Sequence, residues 1–148
     1  ELWAKLAPKL VSVTKGWWYA YSMFLEGEAD MVLSYSTSPA YHLIAEGKDH
    51  YAAAAFDEGH YLQIEVAGIL KSSKQPALAQ KFMETLIGKN VQSLLPTTNW
   101  MYPAATSGII PDGFDGLIKP SKSYLFDPEQ IAKNRDVWVK DWVQGLSQ

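Results

Sequence analysis

The sequence predicts an α/β fold, because segments of helical periodicity alternate with segments that have the pattern of strands. The clearest helices lie at 74–88 and 127–148, where apolar residues recur at every third or fourth position. The clearest strand lies at 60–70, where side chains alternate with the period of a strand that has one buried face. With 148 residues, the chain has the length of one domain and enough apolar residues for a core.

The first half of the chain divides into short helices and strands. Helices are predicted at 2–10, ending near Pro8, at 17–25 with Gly27 as C-cap, and at 38–47 with Ser38 as N-cap, Pro39 at the first position and Gly47 at the end. Strands are predicted at 11–14, 31–36, 51–56 and 60–70. The second half is helical at both ends, with a helix at 74–88, a shorter one at 89–95, an irregular stretch at 103–126, and a last helix that Asp127 caps.

Two large rings, Trp100 and Tyr102, lie in a segment that Pro96 and Pro103 bracket. Because two prolines remove two backbone donors and fix φ, residues 94–104 are predicted to be a rigid loop, neither helix interior nor central strand. The rings then either present a stacking surface to a ligand or fold back onto the core of the protein.

Composition excludes several classes of function. A net charge of −3 without any basic stripe argues against nucleic acid. The absence of cysteine excludes disulfides, thiolate metal sites and a cysteine nucleophile within these residues. No stretch approaches the roughly 18 consecutive apolar residues of a transmembrane helix. Six Trp and eight Tyr are many for this length, which favours an aromatic site.

Catalytic and metal-binding patterns are not found. Asp57, Glu58 and His60 lie close together, but their spacing matches no zinc or iron site, and a polar turn between strands explains them. The sequence also has neither a GxSxG nucleophile elbow nor a glycine-rich phosphate loop. We therefore predict no catalytic residue, no metal and no cofactor.

The stretch SYSTSPAY places hydroxyl groups at the end of a predicted strand and the start of a helix. Ligands of open α/β sheets bind outside the carboxyl ends of strands, and a helix N-terminus favours polar or anionic groups. Ser36, Thr37 and Ser38 are therefore candidate ligand contacts, with Tyr35 and Tyr41 on either side. The alternative is an ordinary capping turn whose tyrosines lie half in the core.

Consecutive indoles at Trp17 and Trp18 point about 100° apart on a helix, so they cannot both face one core. Together with Tyr35, Tyr41 and Trp100 they place aromatic rings at the ends of elements. Such rings suit a flat, electron-poor or cationic ligand, at about 0.5–2 kcal/mol per ring.

These motifs resemble the solute-binding proteins of ABC importers. The helix in "KQPALAQKFMETLIG" resembles that family in general, whereas "KGW", "SYSTSPAY", "EGHYLQIEVA" and "NWMYP" resemble its thiamine-binding branch over essentially all 148 residues. The resemblance implies a periplasmic-binding-protein type II-like fold, with two lobes joined by a hinge. Residues 1–148 would be its C-terminal portion, with lobe crossovers near 36–60 and 96–104.

The resemblance also implies a site and a function. The ligand-binding residues would be Trp17, Tyr35, Ser36, Thr37, Ser38, Tyr41, Asn99 and Trp100. Trp18 departs from the family, which has a small polar residue there. The implied function is periplasmic capture of thiamine or its phosphates and delivery to an inner-membrane ABC permease, without catalysis or a cofactor.

Other readings remain open. One is a thiamine-degrading enzyme of the same fold, and another is a binding protein for a polyamine or iron. Because the chain starts in a helical pattern without Met or signal peptide, we expect a fragment with open strand edges that favour self-association.

Overall fold

The computed structural model describes residues 2–147, which contain six α-helices and a short parallel sheet of two strands. The helices are α1 (Leu2–Leu6), α2 (Trp17–Leu25), α3 (Ser38–Glu46), α4 (Pro76–Leu86), α5 (Lys89–Thr98) and α6 (Pro128–Leu146). The strands are β1 (His60–Tyr61) and β2 (Ser123–Tyr124), and 3-10 turns lie at Ala7–Lys9 and Asp112–Phe114. No helix within this part of the chain is long and apolar enough to cross a membrane.

The chain forms two compact units. One contains Glu1–Ser34 and Leu125–Gln148, and the other contains Tyr35–Tyr124. In the first, α1 packs against α6 so closely that a Cβ added at Gly145 would lie 2.5 Å from Cβ of Trp3. The predicted lobe crossovers near 36–60 and 96–104 stay a prediction.

Helix ends in the first unit follow the expected capping rules. After α2, Gly27 has a φ of +78°, a left-handed conformation that glycine adopts without strain. Before α6, Oδ1 of Asp127 accepts a hydrogen bond of 3.2 Å from the Glu129 N–H, and Pro128 occupies the first helical position. These predictions are confirmed, and the α-helix near Pro8 ends at Leu6 as expected.

The second unit has its core between α3 and the 3-10 turn at Asp112–Phe114. Ala40, Phe114 and Leu117 form its buried apolar cluster. The turn lies directly on α3, because a Cβ at Gly113 would lie 2.5 Å from Cγ1 of Ile44. This packing fixes α3, which carries the candidate residues Ser38 and Tyr41, against the rest of the unit.

The strand predictions are largely wrong. Residues 11–14, 31–36 and 51–56 form no strand, and of 60–70 only β1 pairs, with His60 opposite Ser123 and Tyr61 opposite Tyr124. Side-chain alternation indicates which residues share a face, but a strand also needs a neighbour for its backbone groups. Side chains expected on buried faces are instead in solvent: Leu33 is 91% exposed and Val66 is 88% exposed.

The predicted loop at 94–104 is also wrong in its first half, because α5 continues through Pro96 to Thr98. Proline there removes only the N–H that would have bonded the Gln92 carbonyl, near the end of the helix. The helix resumes at once, since the Asn99 N–H donates to the Leu95 carbonyl at 2.9 Å. The pyrrolidine ring is fully buried, which offsets the missing bond.

Candidate ligand-binding site

Two of the predicted aromatic residues meet in the second unit. The rings of Tyr41 and Trp100 lie 5.1 Å apart between centroids, edge to face at 82°. Tyr41 belongs to α3, and Trp100 follows Asn99, the residue that caps α5. An edge-to-face pair of this kind contributes about 0.5–1.5 kcal/mol beyond the area it buries. Both side chains remain partly exposed, so the pair can still contact a ligand.

Trp100 has a φ of +56°, and among residues 2–147 it is the non-glycine residue with a positive φ. Helices often end in this left-handed conformation, but the residue there is usually glycine or asparagine. A side chain with a Cβ costs about 1–2 kcal/mol in it. The sequence predicts that flanking prolines hold Trp100 rigid in a loop, whereas Pro96 lies inside α5 and Trp100 directly follows the C-cap residue of that helix.

The segment after Trp100 is tied back onto α5 by buried Gln92. Its Nε2 donates to the Leu86 carbonyl at 2.9 Å, and its Oε1 accepts from the Ala105 N–H at 3.0 Å. The next residue on α5 makes a similar bond: Oγ of Ser93 accepts from the Ile109 N–H at 3.0 Å. The bonds to Ala105 and Ile109 hold the segment that follows Trp100 against α5, and no sequence motif pointed to them.

Asn99, a predicted polar ligand contact, has a protein partner. Its Nδ2 donates to Oε2 of Glu65 at 2.9 Å, although the two residues are 34 positions apart. Sequence reasoning did not single out Glu65, because its place in an alternating segment indicated only an exposed strand face.

Tyr102 contacts a core residue and not the Tyr41–Trp100 pair, although its side chain is 45% exposed. Its ring lies edge to face on Phe114, with 5.4 Å between centroids. Burial raises the pKa of its phenol. Tyr102 therefore contacts the core through Phe114, while the other interpretation of the proline-rich segment, a stacking surface for a ligand, stays a prediction.

The hydroxyl cluster lies where α3 begins, with one residue shifted from the prediction. Thr37, not Ser38, is the N-cap, and the cap is made by backbone groups: the Ser38 N–H donates to the Tyr35 carbonyl at 3.1 Å. Thr37 is buried, and its Oγ1 has no hydrogen-bond partner among the described residues. Ser36 is half-buried, and Tyr35 is 47% exposed. The turn thus caps the helix and also leaves a hydroxyl unused.

A charged group of side chains lies at the other end of α3. His42 is fully buried, its Nδ1 is 2.9 Å from Oε2 of Glu46, and its ring stacks on Tyr51 at 3.9 Å. Lys48 Nζ lies 3.0 Å from the same Glu46 oxygen. The hydrogen bond with His42, followed by that with Lys48, lowers the pKa of Glu46 to about 2. His42 also contacts the Tyr41 ring edge-on at 5.1 Å, so it supports one member of the aromatic pair.

In the first unit, Trp17 and Trp18 begin α2 as predicted. Trp17 is 46% exposed and Trp18 is 61% exposed. Trp17 lies 4.7 Å from the ring of Tyr21, which is the buried residue of this helix. The ring of Trp18 also lies near Tyr21, with 6.5 Å between centroids. Both indoles therefore contact the same buried residue, and both stay exposed instead of entering the core.

The turn with Asp57, Glu58 and His60 is a structural turn. Nε2 of His60 accepts a hydrogen bond of 3.1 Å from the Phe56 N–H, which closes it. Within residues 2–147, no three potential metal-ligating side chains of His, Cys, Asp or Glu come together.

An open cavity of about 650 Å³ lies between α1 and α6. It is lined by Leu2, Trp3, Ala4, Trp138, Asp141, Gln144 and Gly145. None of the predicted ligand-binding residues lines it. The cavity therefore adds nothing to the site that the aromatic residues define.

Sites for small molecules are lined mainly by apolar and aromatic side chains with a few polar groups, and the Tyr41–Trp100 pair and the hydroxyls before α3 are side chains of these kinds. The sequence profile of the bacterial extracellular solute-binding protein family matches residues 1–93. The chain belongs to this family.

Several relatives share more specific similarity. The chain is 52% identical over 147 residues to the thiamine-binding periplasmic protein of Salmonella typhimurium, covering 99% of the chain and 45% of the relative. The chain is 48% identical to the protein of that name from Brucella abortus, and the match covers 98% of the chain and 44% of the relative. It is 39% identical to the protein of that name from Haemophilus influenzae, and the match covers 98% of the chain and 43% of the relative. The chain thus spans about half the length of the curated relatives it matches.

A solved structure described as a periplasmic thiamin binding protein superposes with a TM-score of 0.93 at 52% identity. The superposition covers 99% of this chain and 46% of the solved one. The predicted fold of the periplasmic binding proteins, and the resemblance to the thiamine-binding branch, are confirmed.

Proposed function

We propose that the protein carrying this chain captures thiamine in the periplasm by aromatic stacking and delivers it to an ABC permease of the inner membrane. The observation that carries the proposal is the Tyr41–Trp100 pair, held edge to face at 5.1 Å. Thiamine joins a flat aminopyrimidine to a permanently cationic thiazolium. Aromatic faces attract such a cation by about 0.5–2 kcal/mol each.

Other predicted residues complete the proposed site. Tyr35 would add a ring, and Ser36, Thr37 and Ser38 would offer hydroxyls to the alcohol or the phosphate ester of the ligand. Trp17 is proposed from the family resemblance alone. The names of the relatives support thiamine as the ligand, and this mode of binding requires no cofactor.

The alternatives have less support. A thiamine-degrading enzyme of this fold would use a cysteine nucleophile, and the 148 residues contain none. A polyamine site needs several carboxylates, and an iron site needs a cluster of tyrosines or carboxylates. Among the described residues, no such cluster of acidic or histidine side chains is present. We therefore propose binding without catalysis.

The test is to identify the natural ligand. The natural protein that contains this chain is purified without denaturation, and the released small molecules are analysed by mass spectrometry. We expect thiamine or its phosphates at close to one per protein. A polyamine or iron in their place would refute the proposal.

The enzyme alternative needs its own assay. The protein is incubated with thiamine and a nucleophilic organic base, and the products are analysed. We expect unchanged thiamine. Cleavage at the bridge between the pyrimidine and the thiazolium would show a degrading enzyme instead.

A further inference from the structure

We infer that Glu65 is a positioning residue for this site: its carboxylate holds Asn99 and so keeps Trp100 in its left-handed backbone conformation. The inference rests on the proposed function, since it assigns the residue that presents one of the proposed stacking rings. It also gives Asn99 a structural role in place of the direct ligand contact expected from the sequence.

The backbone of Trp100 is in an unfavourable conformation. Trp100 has a φ of +56° although it carries a bulky side chain. Such conformations persist only where the surrounding structure holds them, and they cluster at functional sites. Some contact beside Trp100 must therefore hold the end of α5 in place.

The Glu65–Asn99 hydrogen bond is such a contact. Asn99 immediately precedes Trp100 and is bonded twice: its N–H donates to the Leu95 carbonyl at 2.9 Å, and its Nδ2 donates to Oε2 of Glu65 at 2.9 Å. Because these two bonds hold both the backbone and the side chain of Asn99, they restrict the backbone conformation of the next residue, Trp100. A bond to a carboxylate is also stronger than one between neutral groups.

Glu65 joins an exposed segment of the chain to the end of α5. Apart from the bond to Asn99, Glu65 makes no other hydrogen bond or ion pair within residues 2–147. It lies in an exposed segment that pairs as a strand only at His60–Tyr61. The bond to Asn99 therefore joins this segment directly to the end of α5. A carboxylate at this place acts on Trp100 through Asn99.

Three variants distinguish the effect of the Glu65–Asn99 hydrogen bond from the effect of the negative charge of Glu65. Glu65→Ala removes the hydrogen bond, whereas Glu65→Gln removes the charge and keeps an oxygen that accepts from Asn99. Glu84→Ala is the matched control, because Glu84 accepts an exposed bond of 3.2 Å from Gln80 on α4, away from the aromatic pair. Each variant is made in the natural protein that contains this chain.

The first readout needs no ligand. The protein is labelled with 5-fluorotryptophan, and the ¹⁹F resonance of Trp100 is assigned by its loss in Trp100→Phe. We expect Glu65→Ala to shift or split this resonance, while Glu65→Gln and Glu84→Ala leave it unchanged. An unaltered Trp100 resonance in Glu65→Ala would overturn the inference.

The second readout is thiamine affinity by titration calorimetry. We expect Glu65→Ala to weaken binding about three- to tenfold, which is the scale of one hydrogen bond, and Glu65→Gln to stay within about twofold of the wild type. If Glu65→Gln weakened binding as much as Glu65→Ala, the carboxylate would attract the cationic ligand directly and the positioning role would be wrong. If the wild type bound no thiamine, the proposed function would fail while the ¹⁹F result would still decide the role of Glu65.

A rescue variant guards against misfolding of Glu65→Ala. Asn99→Asp places two carboxylates together and should displace the Trp100 resonance. Combining it with Glu65→Gln exchanges donor and acceptor, so the hydrogen bond is restored and the resonance should return to its original position. Failure of this rescue with the fold intact by circular dichroism would also contradict the inference.

Discussion

At the scale of single residues, Trp100 has a backbone conformation that destabilises the fold but holds its indole in a fixed position. Its left-handed backbone costs about 1–2 kcal/mol relative to glycine, and the fixed indole then loses little rotamer entropy when a ligand stacks on it. Tyr41 gains the same advantage from its contacts with Trp100 and His42. Both rings are thus held in place before the ligand arrives.

Tyr35 and Tyr41 are expected to act through their rings more than through their hydroxyls. Replacement of either by Phe should weaken thiamine binding by less than about 1 kcal/mol, whereas replacement by Ala should cost more. Titration calorimetry on the four variants measures both effects. A Phe variant as weak as its Ala counterpart would show that a hydrogen bond, and not stacking, dominates.

Glu46 predicts how stability depends on pH. Its pKa is lowered from the ordinary value of 4.5 to about 2 by His42 and then Lys48, so the folded state favours the ionised carboxylate. That stabilisation is complete above about pH 4.5 and is lost as the pH falls towards 2. The thermal unfolding temperature of the wild type should therefore fall as the pH is lowered over this interval, and that of Glu46→Gln should fall less. Identical pH profiles for the two proteins would refute this role of Glu46.

At the scale of elements, α6 depends on its N-cap. Asp127→Ala removes the bond to the Glu129 N–H and should destabilise the protein by about 0.5–2 kcal/mol in denaturant unfolding. Asp136→Ala is the control, since its carboxylate is 97% exposed and forms only a long pair of 3.7 Å with Arg135. An equal decrease in the free energy of unfolding of the two variants would mean that the N-cap does not stabilise the protein.

Helices could be predicted from the sequence and strands could not. Helix ends are set by neighbouring residues such as Asp127, Gly27 and Gly47, so their signals are local. Strands depend on a partner elsewhere in the chain: β1 pairs with β2, some 63 positions away by the register of His60 with Ser123. Pro96 was misread because the rule against proline in helices is weak near a helix end, where one lost bond can be offset by burial.

The candidate site shows the same division. Tyr41 and Trp100 could be singled out from their positions at element ends and from family motifs, and the structure brings them together. Glu65, Gln92 and His42 could not, because their contacts depend on folding. The Glu65–Asn99 bond, for example, spans 34 positions and leaves no pattern in the sequence.

At the scale of the whole molecule, the chain covers 45% of its Salmonella relative and exposes large apolar side chains such as Leu33 and Val66. Binding proteins that close around a ligand use contacts from both lobes. We therefore expect the 148-residue chain alone to bind thiamine more weakly than about 10 μM and to self-associate through its exposed apolar surface. Calorimetry and analytical ultracentrifugation measure the two properties.

A chain extended at its N-terminus to the length of the relatives is the comparison for that prediction. It should bind thiamine tightly as a monomer. Sub-micromolar, one-to-one binding by the 148-residue chain as a monomer would show instead that these residues form a complete receptor.

Stacking of Trp100 on thiamine is tested by titration calorimetry of the natural protein with and without this ring. Trp100→Ala should weaken binding by roughly 1.5–3 kcal/mol, which is about 10- to 150-fold in Kd. Trp138→Ala, the same truncation on α6 outside the predicted site, should leave the affinity unchanged. Wild-type affinity in a folded Trp100→Ala protein of unaltered stability would contradict the account.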